Sequence, residues 1–188
     1  MTADAHRRGA LAAMLAVALV ALSACSGGSA PAAAKPAVPA FAETDWSELI
    51  PPAELENQRR AFAFAMRHVD HSSDQRAPQF GSFETVAALD GRRVALPGYV
   101  VPLDVDGEGR MSAYFFVPTL GACIHVPPPP PDQIVYVTLT KPVPAPELGD
   151  SRWLRGTLHV RKHDADLASA AYAMDDPELA PRPLDGDS

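Results

Sequence analysis

The 188-residue sequence predicts a mainly β protein, a small OB-like five-stranded barrel entered through a helical N-terminal segment. Three observations carry this prediction. From Val94 onward, apolar residues return with a two-residue period in five short runs separated by turn signals, the pattern of strands with one buried face. The first run is interrupted at Pro97-Gly98 and the fourth contains Gly156. A glycine inside a strand marks a bulge or sharp bend, which small barrels need at their corners. Good helix formers from Ala53 precede all five runs. An open β-sandwich made from the same strands is the alternative.

The chain begins with an address. His6, Arg7 and Arg8 form a basic start to the apolar run Ala10–Leu22. That run is shorter than the ~20 apolar residues needed to span a bilayer and fits the centre of a secretory signal. The paired arginines lack the flanking residues of a twin-arginine signal. Leu22-Ser23-Ala24-Cys25 resembles the lipobox of bacterial lipoproteins, in which a diacylglycerol joins the cysteine and the chain is cut before it. Ser26 follows, not the aspartate that retains many lipoproteins at the inner membrane. The expectation is a lipid-anchored protein of the bacterial cell envelope, at the outer membrane and facing the periplasm. Residues 1–24 are then the signal peptide, and 25–44, rich in Ala, Pro, Gly and Ser, the lipidated Cys25 and a flexible tether.

Residues 45–80 form a helical lead-in. Asp45–Ile50 is a short ordered entry ended by Pro51-Pro52, and prolines are tolerated in a first helical turn. Leu55, Phe62 and Met66 fall near one face, with Phe64 off it. His68 and His71 lie three apart and read as solvated surface residues. Residues 81–188 form the barrel domain. Its strands are Val94–Leu103, Met111–Pro118, Ile134–Thr140, Trp153–Val160 and a short Ser169–Met174. Asp104–Gly109 is a hairpin turn; it lacks calcium-loop chemistry, because Phe115 stands where the loop's last glutamate is required. In the fourth strand, Leu154, Leu158 and Val160 share one face, and Trp153, Arg155, Thr157 and His159 the other. Lys141–Asp150 reads as a Pro-rich loop, and the tail from Asp175 as surface wrapping.

A net charge of −7 argues against nucleic acid and against electrostatic binding to anionic lipid, which leaves the lipid on Cys25 as the membrane attachment. A monomer is expected. The two cysteines are Cys25 and Cys123. Lipidation of the first leaves the second without a disulfide partner, and a single thiol in an oxidising compartment has to be buried, bound or used.

Cys123 lies in the stretch Gly121–Gln133, which reads Gly-Ala-Cys-Ile-His-Val, then five prolines, then Asp-Gln. In extended backbone, Cys123 and His125 point to the same side. Thiolate plus imidazole suits zinc or cuprous copper, with His159 the preferred third ligand over His163, His68 and His71. The same pair could serve as nucleophile and base. The bland reading is a small buried thiol beside a hydrogen-bonded histidine. Pro127, Pro128, Pro129, Pro130 and Pro131 enforce a polyproline II rod. It is either a stiff connector or a recognition ridge for a partner with an aromatic-lined groove.

Val94–Leu103, Phe115–Pro118 and above all the Gly-Ala-Cys-Ile-His-Val-Pro-Pro-Pro-Pro-Pro-Asp-Gln-Ile-Val run resemble a bacterial lipoprotein family known as domain of unknown function thirty-two ninety-nine. The resemblance spans Thr85–Leu179, with Asp132 where the family favours asparagine. It implies no established activity. Some members sit beside genes for transporter components and metal-responsive genes, which inclines the resemblance toward metal. The expectation is a non-enzymatic accessory in zinc or copper handling or in an envelope transport complex. The alternatives are a thiol-dependent envelope enzyme using Cys123 and His125, and a purely structural or partner-binding lipoprotein.

Overall fold

The barrel closes on one strand, β2 (Arg92–Val105). The structure, a computed structural model, describes residues 40–67, 78–120 and 127–182. Pro39–Ser188 forms one compact unit. The first half of β2, Arg92–Gly98, pairs antiparallel with β5 (Arg152–Asp164), and the second half, Tyr99–Val105, with β3 (Arg110–Val117). The change of partner falls at Pro97-Gly98, where the sequence predicts a corner. A Cβ on Gly98 would lie 2.5 Å from the Val117 carbonyl oxygen, so only glycine lets the two backbones pass this closely.

From β3 the circuit continues antiparallel to β4 (Val135–Pro144), parallel from β4 to β6 (Ser169–Pro181), and antiparallel from β6 to β5. Because β5 returns to β2, the five strands form a closed mixed barrel, and the open sandwich is excluded. The short β1 (Ala42–Glu43) pairs parallel with β2 at Val94 and Ala95, so the end of the stretch read as tether belongs to the barrel wall.

Alternation builds the interior. Leu96, Tyr114, Phe116, Val137, Leu154, Leu158 and Tyr172 share the main core. Phe115, Val117, Ile134, Ala168 and Ala170 form a second cluster. Phe115 and Phe116 are neighbours on one strand, belong to different clusters and are both fully buried. Burial on both faces is why Tyr114–Val117 is continuously apolar. Each such side chain contributes roughly 1.5–3 kcal/mol by leaving water.

Three expectations are corrected. The tail from Asp175 is strand as far as Pro181. Asp176, at φ 50°, and Pro177 bulge opposite Gly156, and pairing resumes between Glu178 and Arg155. The bulge takes the proline, which has no N–H for the ladder, out of register. Lys141–Pro144 is strand rather than loop, because Val143 and Pro144 meet Met111 and Arg110 beyond a second irregularity. Val160 is 39 % exposed, unlike Leu154 and Leu158, because the β2–β5 pairing ends at Arg92 and Leu158 and leaves Val160 beyond the edge of β2.

The predicted helix is α1 (Leu55–Arg67). Its one buried residue is Gln58, while Phe62 is 52 % and Met66 40 % exposed. The apolar positions near one face therefore do not enter the core.

Candidate functional site

α1 and the proline rod form the two banks of a groove across one end of the barrel, and local chemistry fixes each bank. Asp45 opens a single 3-10 turn, Trp46–Leu49, through a capping box: its carboxylate accepts from Ser47 N at 2.8 Å, and Glu48 Oε1 accepts from Asp45 N at 2.8 Å. Trp46 Nε1 donates to the Pro97 carbonyl at 2.6 Å, and its ring stacks on Phe116 with centroids 6.1 Å apart. Tyr172 Oη donates to the Leu49 carbonyl and accepts from Val86 N, both at 2.8 Å. These bonds seat the lead-in on the barrel before Pro51-Pro52 starts α1.

Pro127–Pro131 are all buried. A proline segment is inexpensive to bury because it has no N–H to satisfy; only its carbonyls need partners. Gln79 supplies one: its Nε2 donates to Pro129 O at 2.8 Å and to Ser169 O at 2.9 Å, and its Oε1 accepts from Ser169 N at 2.9 Å. Gly81, at φ 90°, packs so close that a Cβ would fall 2.7 Å from Pro130 Cβ. Gln133 Nε2 donates to Trp46 O at 2.9 Å, joining the end of the rod to the lead-in.

The resulting groove has a volume of about 400 Å³ and mostly apolar walls, among them Leu55, Phe62, Phe80, Pro127 and Pro130, with Gln58 also in the lining. Phe62 meets Phe80 with ring centroids 5.8 Å apart. Gln58 also donates to Asp132 Oδ2. Asp132 is fully buried, and its Oδ1 has no partner among the described residues. Burial pushes its carboxyl up to about 7; the Gln58 hydrogen bond works against this and the nearby Glu54 charge adds to it. At neutral pH this acid is poised between its two forms.

The residues singled out in the sequence are placed as follows. Cys25, Cys123, His125, His68 and His71 lie outside the described residues. His159 points outward with 30 % of its side chain exposed, its ring nitrogens 3.3 Å from Asp90 and from Asp175 carboxylate oxygens. Its partners among the described residues are thus carboxylates. His163 stacks on Tyr136 at 3.4 Å between centroids. Among the described residues no three His, Cys, Asp or Glu side chains gather as a metal cage. The five prolines form a buried wall rather than an outstanding ridge. Sequence reasoning missed the Gln58–Asp132 pair. Its one signal was an acid set directly after five prolines, and the partner lies 74 residues away.

Comparison with known proteins adds two findings. The family described as protein of unknown function (DUF3299) matches residues 46–181. The crystal structure of a DUF3299 family protein from Pseudomonas aeruginosa PAO1 is similar, with 36% sequence identity and a TM-score of 0.58, over 79% of this chain and 100% of that one. No curated protein matches.

Proposed function

The chain belongs to the DUF3299 family, and from that premise we propose that it is a non-enzymatic, lipid-anchored, periplasm-facing accessory that docks a protein of an envelope transport complex in the groove between α1 and the proline rod. The observation that carries this reading is the exposure of Phe62 and Met66 on a helix whose apolar side chains border a proline-walled groove. Contiguous exposed apolar surface beside a rigid wall suits an apolar segment of a partner. Cys25 supplies the lipid that holds the protein at the membrane, where such complexes sit.

A photoreactive side chain at Phe62, in the full-length protein in its own envelope, tests this. It crosslinks a transport component identifiable by mass, whereas the same probe at Val105, at the far end of the barrel, does not. Crosslinking that is equal at both positions, or absent at Phe62, overturns the assignment. Equal incorporation of labelled fatty acid by wild type and Cys25→Ser removes the anchor from it.

A second reading, metal handling by Cys123 and His125 with zinc or cuprous copper, draws on one observation. Thr119 and Pro127, which stand before and after that stretch in the sequence, both line the groove.

A further inference from the structure

The opposite mouth of the barrel holds a cavity of about 610 Å³, between the start of β3, the end of β4, the β4–β5 connection and the end of β6. Its walls are mostly apolar, from Met111, Leu139, Val143 and Leu179, with Tyr114 and Arg152 among them. Two buried polar atoms of these lining residues lack partners among the described residues. Tyr114 is 1 % exposed and its hydroxyl makes no hydrogen bond to a described residue; Arg152 Nε is buried and likewise unpaired among them. Buried polar groups are normally paired, and leaving one unsatisfied costs about 1–3 kcal/mol. The two positions after Tyr114 are Phe115 and Phe116, so aromatic packing in this strand does not by itself require a hydroxyl.

We propose that this mouth is a binding site for a small uncharged molecule with an apolar body and one carbonyl-type acceptor, which takes the hydrogen bond of Tyr114 Oη. Mouths of β-barrels and cavities of this size are common ligand sites. Burial pushes the Tyr114 phenol up, so it stays a neutral donor at any ordinary pH. Arg152 is neutralised by Asp150, with Nη2 at 2.5 Å from Oδ2, and Glu147 adds a further negative charge to the lining. That balance turns away a carboxylate and accepts its amide. Arg152 Nε is a second donor in the same wall, and a carbonyl oxygen has two lone pairs. Both donor atoms are shielded from the empty cavity, so binding requires wall side chains to shift as the occupant enters.

The test titrates the full-length protein with 3-phenylpropanamide and with 3-phenylpropanoate, following binding by ligand-observed NMR and calorimetry. The amide binds, and the carboxylate binds more weakly. Tyr114→Phe melts at or above the wild-type temperature, because it removes an unpaired buried hydroxyl, and binds the amide about five- to tenfold less tightly, the loss expected for one hydrogen bond. Val143→Trp, which fills the mouth from a partly exposed position, abolishes binding. The assignment is overturned by absence of amide binding, by equal affinity in Tyr114→Phe or Val143→Trp, or by preference for the carboxylate. It also fails if Tyr114→Phe melts well below wild type, which would make the hydroxyl structural.

Discussion

Two buried tyrosines stand at the two ends of this barrel. At the groove end, Tyr172 Oη both donates, to Leu49 O, and accepts, from Val86 N. At the opposite mouth, Tyr114 Oη does neither among the described residues. The contrast extends to their neighbours. Around the groove, Trp46, Gln79 and Gln133 all use their polar atoms to tie lead-in, rod and barrel together, and the surface left over is apolar. In the mouth, packing is provided by aliphatic side chains and the polar atoms are left over. What an end leaves unused indicates what it can recruit: apolar partner surface at the groove, a hydrogen-bond acceptor at the mouth.

Asp132 is the exception at the groove end, and it yields the largest expected effect. Its carboxyl is held near 7 in the folded state against 3.8 when unfolded. The folded protein therefore binds one more proton than the unfolded chain between those values. The stabilisation is complete below pH ~4, falls as pH rises toward 7, and is flat above it, with a slope of up to about 1.4 kcal/mol per pH unit. Asp132→Asn keeps an oxygen to accept from Gln58 and removes the titration. Denaturant titrations of both proteins between pH 4 and 8 should show their stability difference growing with pH in the variant's favour. A constant difference would return Asp132 to an ordinary carboxylate.

Metal asks whether the groove end has a further tie. If Cys123 and His125 bind zinc or cuprous copper, free metal at a hundred times the dissociation constant adds about 2.7 kcal/mol by mass action. Thermal melts under reducing conditions should rise with metal in wild type, and not in Cys123→Ala or His125→Ala. His159 already faces Asp90 and Asp175, so His159→Ala tests whether it is a third ligand or part of a surface ion-pair cluster. Stability indifferent to both metals leaves Cys123 a packing residue.

The tyrosines themselves come next. Tyr172→Phe leaves Leu49 O and Val86 N without their shared partner and should cost about 2–3 kcal/mol. Tyr114→Phe should cost nothing and can raise stability, since it removes an unpaired buried hydroxyl. Matched urea denaturation of the two variants measures the comparison directly, and equal losses would dissolve it.

The strands were legible because alternation reports burial residue by residue, and Pro97-Gly98 announced the corner on which β2 changes partner. The strand ends were not. Pro144, Pro177 and Pro181 read as loop, yet Pro144 and Pro181 end their ladders in register and Pro177 sits in a bulge that depends on the opposing strand. The candidate site was legible only in part. Five prolines marked one bank of the groove, but an exposed apolar helix face has the same periodicity as a buried one. Gln58 meeting Asp132, and the Tyr114 hydroxyl left without a partner among the described residues, are long-range outcomes with no local pattern to read.

Phe62 gives the smallest stability effect and bears most directly on the groove. It is more than half exposed and rests on Phe80 alone among the described aromatic rings. Phe62→Ser should therefore lower stability by no more than about 1 kcal/mol, near the range for surface positions. Calorimetry on the purified protein measures that cost, and crosslinking from a probe at Phe80 in the same variant measures docking. A small loss of stability with a large loss of crosslinking means the side chain is kept for its partner. A loss of several kcal/mol would mean instead that Phe62 holds α1 to the barrel, and that the groove is a seam in the fold rather than a surface offered to another protein.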